Sequence, residues 1–366
     1  MKRVLAVCSL LAALVVLTPG VAPAAAPPDH YANHPIRVRP NVSGSPKGLT
    51  PAQVKGAYNF PTSATAGAGK TIAIVDAYDD PTAENDLNVF STQFGLPACT
   101  TANGCFKKVN QTGAARYPRA DGGWALEISL DIQWAHAIAP GAKILLVEAS
   151  TPSFTNLMAA EDYAKAHAQY VSNSWGASEF SGESTYDSHF RQSGVSFFVS
   201  AGDAGLPAEY PSSSPNVISV GGTNLALDAD GSVAGETGWS ESGGGCSAYE
   251  TAPSAQSTFS QFGQVNCGGQ RATPDISLVA DPATGVSVYD STKTQGQAGW
   301  FTVGGTSASS PMVAARAAVA GVVVDAAYLY GSSITFRDIT SGNNGASCLT
   351  GFDLVTGRGS WINSTP

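Results

Sequence analysis

Three groups of residues in this chain have the types and spacing for chemistry. The first is Gly304-Gly305-Thr306-Ser307-Ala308-Ser309-Ser310-Pro311, followed by the apolar run 312–324. It reads as a tight glycine turn that delivers a serine to the start of a buried helix, with Pro311 in the first helical turn. A hydroxyl there sits at the positive end of the helix dipole, a favourable place for an oxyanion to develop. Such a serine becomes a nucleophile only if a base lies within reach and a further group orients that base.

The second group lies in the stretch Trp124-Ala125-Leu126-Glu127-Ile128-Ser129-Leu130-Asp131-Ile132-Gln133-Trp134. Glu127 and Asp131 are four apart, so a helix places both carboxylates on one face. Their apolar neighbours imply burial, and two buried carboxyls held together share a proton, which raises one pKa. Such a pair can act as base and orienter in acid, where histidine is protonated and cannot accept. The third group is Asp203, between Gly202 and Ala204-Gly205 directly after an apolar strand. Ionised, it would repel an oxyanion; protonated, it would donate a hydrogen bond to one. Taken singly, the three have plainer accounts as a helix N-cap, an acidic stripe and an Asx-turn. The histidines offer no comparable setting: His30 and His34 lie in a polar N-terminal arm, and His136 and His167 fall late in helices.

Elements that could position these groups follow from the apolar pattern. Strand-length runs at 71–75 (ending in Asp76), 143–147, 170–174 and 195–200 alternate with helical stretches, notably 124–138 and 154–168. This alternation predicts an α/β fold with a mainly parallel sheet covered on both faces, whose sites form at the carboxyl ends of the strands. A helix should begin at Pro51 with Thr50 as its cap. The Gly- and Ser-rich stretch 217–247 reads as edge strands and loops near the site, and a further strand is expected around 285–290. Gly67-Ala68-Gly69-Lys70-Thr71 resembles only the end of a phosphate loop, with Ala64 where glycine is needed, so nucleotide binding is not expected. Asp228-Ala229-Asp230-Gly231 reads as a hairpin turn.

Lys2-Arg3, the apolar run 4–17 and Ala22-Pro23-Ala24 describe a secretory signal over residues 1–26. An extended arm over 27–47 and one domain over 48–366 should follow, giving a secreted, extracellular protein with no membrane segment when mature. Charged residues make up 13% of the chain and its formal charge is −9. Losing Lys2 and Arg3 takes that from −9 to −11, which argues against nucleic acid as a partner. Cys99, Cys105, Cys246, Cys267 and Cys348 remain after processing, and the sequence-local pairs Cys99–Cys105 and Cys246–Cys267 are the natural disulfides in an oxidising compartment. Cys348 is then left over, and no spacing suggests zinc.

Together the motifs resemble the sedolisin family, serine-carboxyl peptidases with a subtilisin-like fold. The resemblance covers residues 48–360: Gly48-Leu49-Thr50-Pro51, Glu127-x-x-x-Asp131, Ser172-Asn173-Ser174-Trp175-Gly176, Gly202-Asp203, Gly305-Thr306-Ser307-Ala308-Ser309-x-Pro311 and Phe336-Arg337-Asp338-Ile339. By position it implies Ser307 as nucleophile, Glu127 as base, Asp131 as its orienter and Asp203 as the oxyanion-hole acid. The Ser174-Trp175-Gly176 backbone would pair with an extended polypeptide substrate. The resemblance also implies a calcium ion held by Asp338 and Asp353 with the carbonyls of Ile339 and Gly351. Endopeptidase and tripeptidyl-peptidase activity in acid, by a chain expected to be a monomer, both remain open, as does a catalytically silent homologue that binds peptides or serves as a scaffold. Relatives carry a long prosegment, and only residues 27–47 separate the expected leader from Gly48, so a chain without one is expected.

Overall fold

The runs at 71–75, 143–147, 170–174 and 195–200 become strands and those at 124–138 and 154–168 helices in the computed structural model, which describes residues 29–34, 36–39, 44–331 and 334–362. The leader expected over 1–26 lies outside these residues. The first strands are β1 (Arg37–Val38), β2 (Thr71–Ala77), β3 (Phe106–Asn110), β4 (Lys143–Ala149), β5 (Tyr170–Asn173), β6 (Ala177–Ser178), β7 (Ser196–Ser200) and β8 (Glu209–Tyr210). Then come β9 (Ile218–Leu227), β10 (Val233–Gly238), β11 (Gly245–Thr251), β12 (Gln270–Thr273), β13 (Ile276–Val279), β14 (Val286–Thr294), β15 (Gln297–Gly304), β16 (Phe336–Arg337) and β17 (Ser360–Trp361). The helices are α1 (Pro51–Tyr58), α2 (Ala83–Phe94), α3 (Gly122–Ile138), α4 (Phe154–His167), α5 (Ser254–Ser257), α6 (Thr306–Ala320) and α7 (Ala326–Gly331).

The central sheet runs β10-β9-β7-β5-β2-β4-β3, with β13 also paired to β9. All its pairings are parallel except β9 with β10. Strands β2, β4 and β5 are almost wholly buried, as a sheet covered on both faces requires. Helices α3 and α6 pack into the larger apolar core on one face, and α4 into the core on the other. The sheet separates the two cores, and its strand ends fix where α3 and α6 can bring side chains.

Local chemistry accounts for the ends of these elements. Thr50 and Gln53 form a reciprocal capping box on α1, with Pro51 at its first position, as the sequence suggested. Asp121 caps α3 by accepting from the N–H groups of Gly123 and Trp124 at 3.1 and 3.2 Å. From Trp124 onward every residue of α3 is buried, its two carboxyls included, so the helix lies inside the protein. Asp228 and Gly231 turn the β9–β10 hairpin.

Three details differ from the sequence expectations. Strand β9 is interior, flanked by β7, β13 and β10 at successive positions along its length, because its first half is fully buried. The strand expected near 285–290 is β14, which pairs antiparallel with β15 outside the central sheet. Pro311 lies inside α6 instead of in its first turn. There its missing N–H leaves the Ser307 carbonyl without the usual helical donor, and the Ser174 hydroxyl meets that carbonyl at 3.4 Å instead.

Candidate active site

Sheet order brings the three candidate groups to one place. Gly305 takes φ +101°, a conformation that glycine alone adopts easily, and starts α6 so that Ser307 falls in its first turn. Ser307 is fully buried and its hydroxyl closes no hydrogen bond. It does face the Glu127 carboxyl closely enough to favour that group's ionised form. Hydrogen bonds of this kind often close only when substrate is bound.

Glu127 and Asp131 sit one turn apart on α3, both fully buried, with none of their four oxygens hydrogen-bonded. Burial pushes Glu127 above the usual carboxylate range, and the His34 imidazole and Ser307 hydroxyl draw it partly back. Asp131 is pushed well above that range by burial, then by the negative charges of Asp76 and Glu127, with the Ser174 hydroxyl opposing. Asp76 was not singled out from the sequence. It lies near the end of β2, fully buried and unpartnered, and is raised by burial and by Glu127. Three carboxyls thus share one dry space, so they can ionise only one at a time.

Asp203 follows β7 and reaches across to the same turn. Its Oδ1 accepts from the Thr306 N–H at 2.8 Å and lies 3.0 Å from the Thr306 hydroxyl, while its buried Oδ2 is left without a hydrogen bond. Burial holds its pKa well above the carboxylate range, although Thr306 and Arg37 oppose the shift. A neutral carboxyl fixed at one oxygen in this way has its second oxygen free to donate.

Ser174, Trp175 and Gly176 continue from β5 beside this cluster. The Trp175 indole is fully buried and donates to the Val75 carbonyl at 2.9 Å, which fixes the segment against β2. The arm expected to be merely extended lies along it. Asn33 N–H donates to the Gly176 carbonyl at 2.8 Å and Gly176 N–H to the Asn33 carbonyl at 3.0 Å, an antiparallel pairing. Upstream, the His30 ring stacks on Phe180 at 3.5 Å. Downstream, Arg37 and Val38 pair antiparallel with Gly304 and Val303 of β15. His34 Nδ1 stands 3.5 Å from Glu127 Oε2. Arg37 donates to the Asp203 carbonyl at 2.6 Å, and its Nε lies 3.8 Å from Asp203 Oδ2. The arm therefore crosses the cleft on both sides of Ser307. A cavity of about 700 Å³, lined by His34, Ile36, Leu126, Lys293 and Phe301, opens beside it.

The four residues expected at a calcium ion lie together near the C-terminus. Both Asp338 oxygens accept from the Gly351 N–H, at 3.0 and 3.1 Å. Asp353 Oδ2 accepts from Leu349 N–H, and its Oδ1 from the Val355 and Thr356 N–H groups. Calcium takes oxygen donors alone; each carboxylate oxygen here accepts from an N–H yet keeps a further lone pair, so Asp338 and Asp353, with the carbonyls of Ile339 and Gly351, are the residues that would hold such an ion, and no step below is routed through one. The disulfides Cys99–Cys105 and Cys246–Cys267 are formed as expected, and Cys348 is a buried free thiol.

Comparison with known proteins agrees with this geometry. A sequence model described as the subtilase family matches residues 111–329. Kumamolisin from Bacillus sp. (strain MN-32) is 31% identical over 366 residues, covering 87% of this chain and 63% of its own length. Sedolisin from Pseudomonas sp. (strain 101) is 28% identical over 372 residues, covering 87% of this chain and 60% of its own length. This chain therefore spans less than two thirds of either relative. The solved structure of Pseudomonas sedolisin, a serine-carboxyl proteinase complexed with pseudo-iodotyrostatin, superposes with a TM-score of 0.73 at 30% identity, covering 87% of this chain and 96% of that one. A cold-adapted subtilisin-like serine proteinase shares the fold alone, with a TM-score of 0.51 at 16% identity. The protein is thus a subtilase in architecture. Within that class, the chain belongs to the sedolisin family.

Proposed function

We propose that this protein is an exported serine-carboxyl endopeptidase that cleaves polypeptides in acid. One observation carries the reading: Ser307 faces Glu127 within a cluster of three buried carboxyls that close no hydrogen bond, and Asp203, held by Thr306 at one oxygen, keeps the other without one. Ionised Glu127 takes the Ser307 proton as Oγ attacks the scissile carbonyl carbon. The oxyanion receives a hydrogen bond from protonated Asp203 Oδ2, aimed by Thr306. Glu127 then returns the proton to the leaving amine, the C–N bond breaks and an acyl-Ser307 ester remains. Water, deprotonated by Glu127, attacks that ester, and Ser307 recovers its proton as the acid product leaves. Asp131 and Asp76 position Glu127 and set its charge without touching substrate.

The arm's course favours endopeptidase over tripeptidyl-peptidase activity. Described arm residues extend from Asp29 to Asn33 on one side of the nucleophile and pair with β15 on the other, so the cleft accepts a chain running through it. The two disulfides suit export to an oxidising compartment. Among the described residues no helix is long and apolar enough to cross a membrane.

The test is cleavage of a denatured protein from pH 3 to pH 8 by the wild-type chain and by Ser307→Ala. We expect acid-limited activity in the first and none in the second. A neutral optimum, or activity that survives in Ser307→Ala, would overturn the mechanism, and no wild-type activity at any pH would mark a silent homologue.

A further inference from the structure

Glu209, the first residue of β8, has no role in the chemistry above, yet its side chain reaches the substrate cleft. Strand β8 pairs antiparallel with β6, immediately after the Ser174–Gly176 segment. A Cβ built on Gly176 would lie 3.2 Å from Glu209 Oε2, and one built on Gly202 would lie 2.6 Å from the Glu209 carboxyl carbon. Gly202 also has φ +102°, so backbone and packing both require glycine beside Asp203. The two glycines form facing walls of a slot, with the carboxylate between them. Among the described residues, no hydrogen bond holds that carboxyl; burial and the charge of Arg37 are what act on it.

The arm gives the register of an extended peptide here. Its Asn33 pairs with Gly176. In an antiparallel chain, the residue two further on stands opposite Ser174, whose hydroxyl touches the Ser307 carbonyl. A substrate in that register presents the carbonyl of that residue to Ser307 and drops its side chain between Gly176 and Gly202. We propose that Glu209 is a specificity-determining residue, selecting peptides with arginine or lysine at the residue whose carbonyl is attacked. A partly exposed carboxylate without a hydrogen-bond partner recognises a cation, and glycine at 176 and 202 lets it stand at the cleft wall, where larger residues would meet it. Arg37, a guanidinium on a chain already in the cleft, is felt by Glu209 even from its position downstream of the nucleophile. Burial raises Glu209 to about 7; a bound cation draws it down again, so the ion pair forms with release of a proton.

This inference rests on the peptidase reading, and the experiment separates the two. Peptides identical except for Arg, Lys, Phe or Glu at the tested position are assayed with the wild-type chain, Glu209→Gln and Glu209→Asp. In wild type kcat/KM should favour Arg and Lys over Phe by about tenfold or more, as for a close charge pair away from water. That ratio should collapse in Glu209→Gln and return in part in Glu209→Asp. In parallel, Ser307→Ala is titrated with peptides ending in Arg or Phe. The arm competes equally with both, so the affinity ratio reports the slot alone. Turnover without preference, or an unchanged ratio in Glu209→Gln, overturns the specificity while leaving the peptidase. Binding preference without turnover overturns the peptidase and keeps the slot. Equal binding of Arg and Phe peptides, with or without turnover, overturns the slot.

Discussion

Asp203 has its two oxygens in different circumstances, and that difference is testable. The oxygen held by Thr306 needs only to accept, while the free one needs a proton to donate. In Asp203→Asn the amide oxygen can keep the Thr306 contact and the NH2 group donates without a proton. The alkaline limb of the pH–rate profile should therefore move to higher pH, with acid activity kept within about tenfold of wild type. Asp203→Ala should lose about 10²–10³ in kcat, the usual cost of one oxyanion donor. If Asn and Ala lose activity equally at every pH, Asp203 is not that donor. Glu127 has the opposite requirement, since it must be ionised to accept. Activity should thus rise as Glu127 loses its proton and fall as Asp203 loses its own, a bell whose two limbs belong to different residues.

At the scale of elements, α3, α6 and the arm divide the work. The carboxyl pair was legible because helical spacing alone puts Glu127 and Asp131 on one face, and the serine because glycine and helix start are local signals. Asp76 was harder to read: a single acid near the end of an apolar strand signals nothing until sheet order sets β2 beside α3. His34, Arg37 and Glu209 carried no signal, since their positions come from pairings with Gly176, Gly304 and Ser178 far away in the chain. Pro311 misled because its helix begins earlier, where Ser174 can take over the contact that proline lacks. The arm's placement also predicts its effect on turnover. A chain lacking residues 29–39 should cleave short peptides at least about tenfold faster than the full chain, because an attached segment competes at an effective concentration near millimolar. A synthetic peptide of those residues should inhibit the shortened chain competitively. Equal rates with and without the arm would show that it leaves the cleft freely.

For the molecule as a whole, buried acids extend well beyond the cleft. Burial raises Glu148 to about 9 against the pull of Lys108, Glu161 to about 8, Asp290 to about 8 and Asp80 to about 6. Asp80, Asp86 and Asp290 lie with carboxylate oxygens within 4.8 Å of one another. A carboxyl whose folded pKa is raised contributes stability that is fully present below its unfolded pKa, near 4, and is lost as pH climbs through the folded value. The window here runs from about 4 to 9, so stability should fall steadily across it. Differential scanning calorimetry should show the unfolding midpoint dropping by at least about 5 °C between pH 4 and pH 8. A midpoint that rises over that range would contradict the raised values. The same acids make the folded chain a proton store. Near neutral pH, each that opens to water gives up its proton, so unfolding releases acid to the buffer. The measured enthalpy should then differ between phosphate and Tris in proportion to their heats of protonation, and the slope counts the protons kept inside.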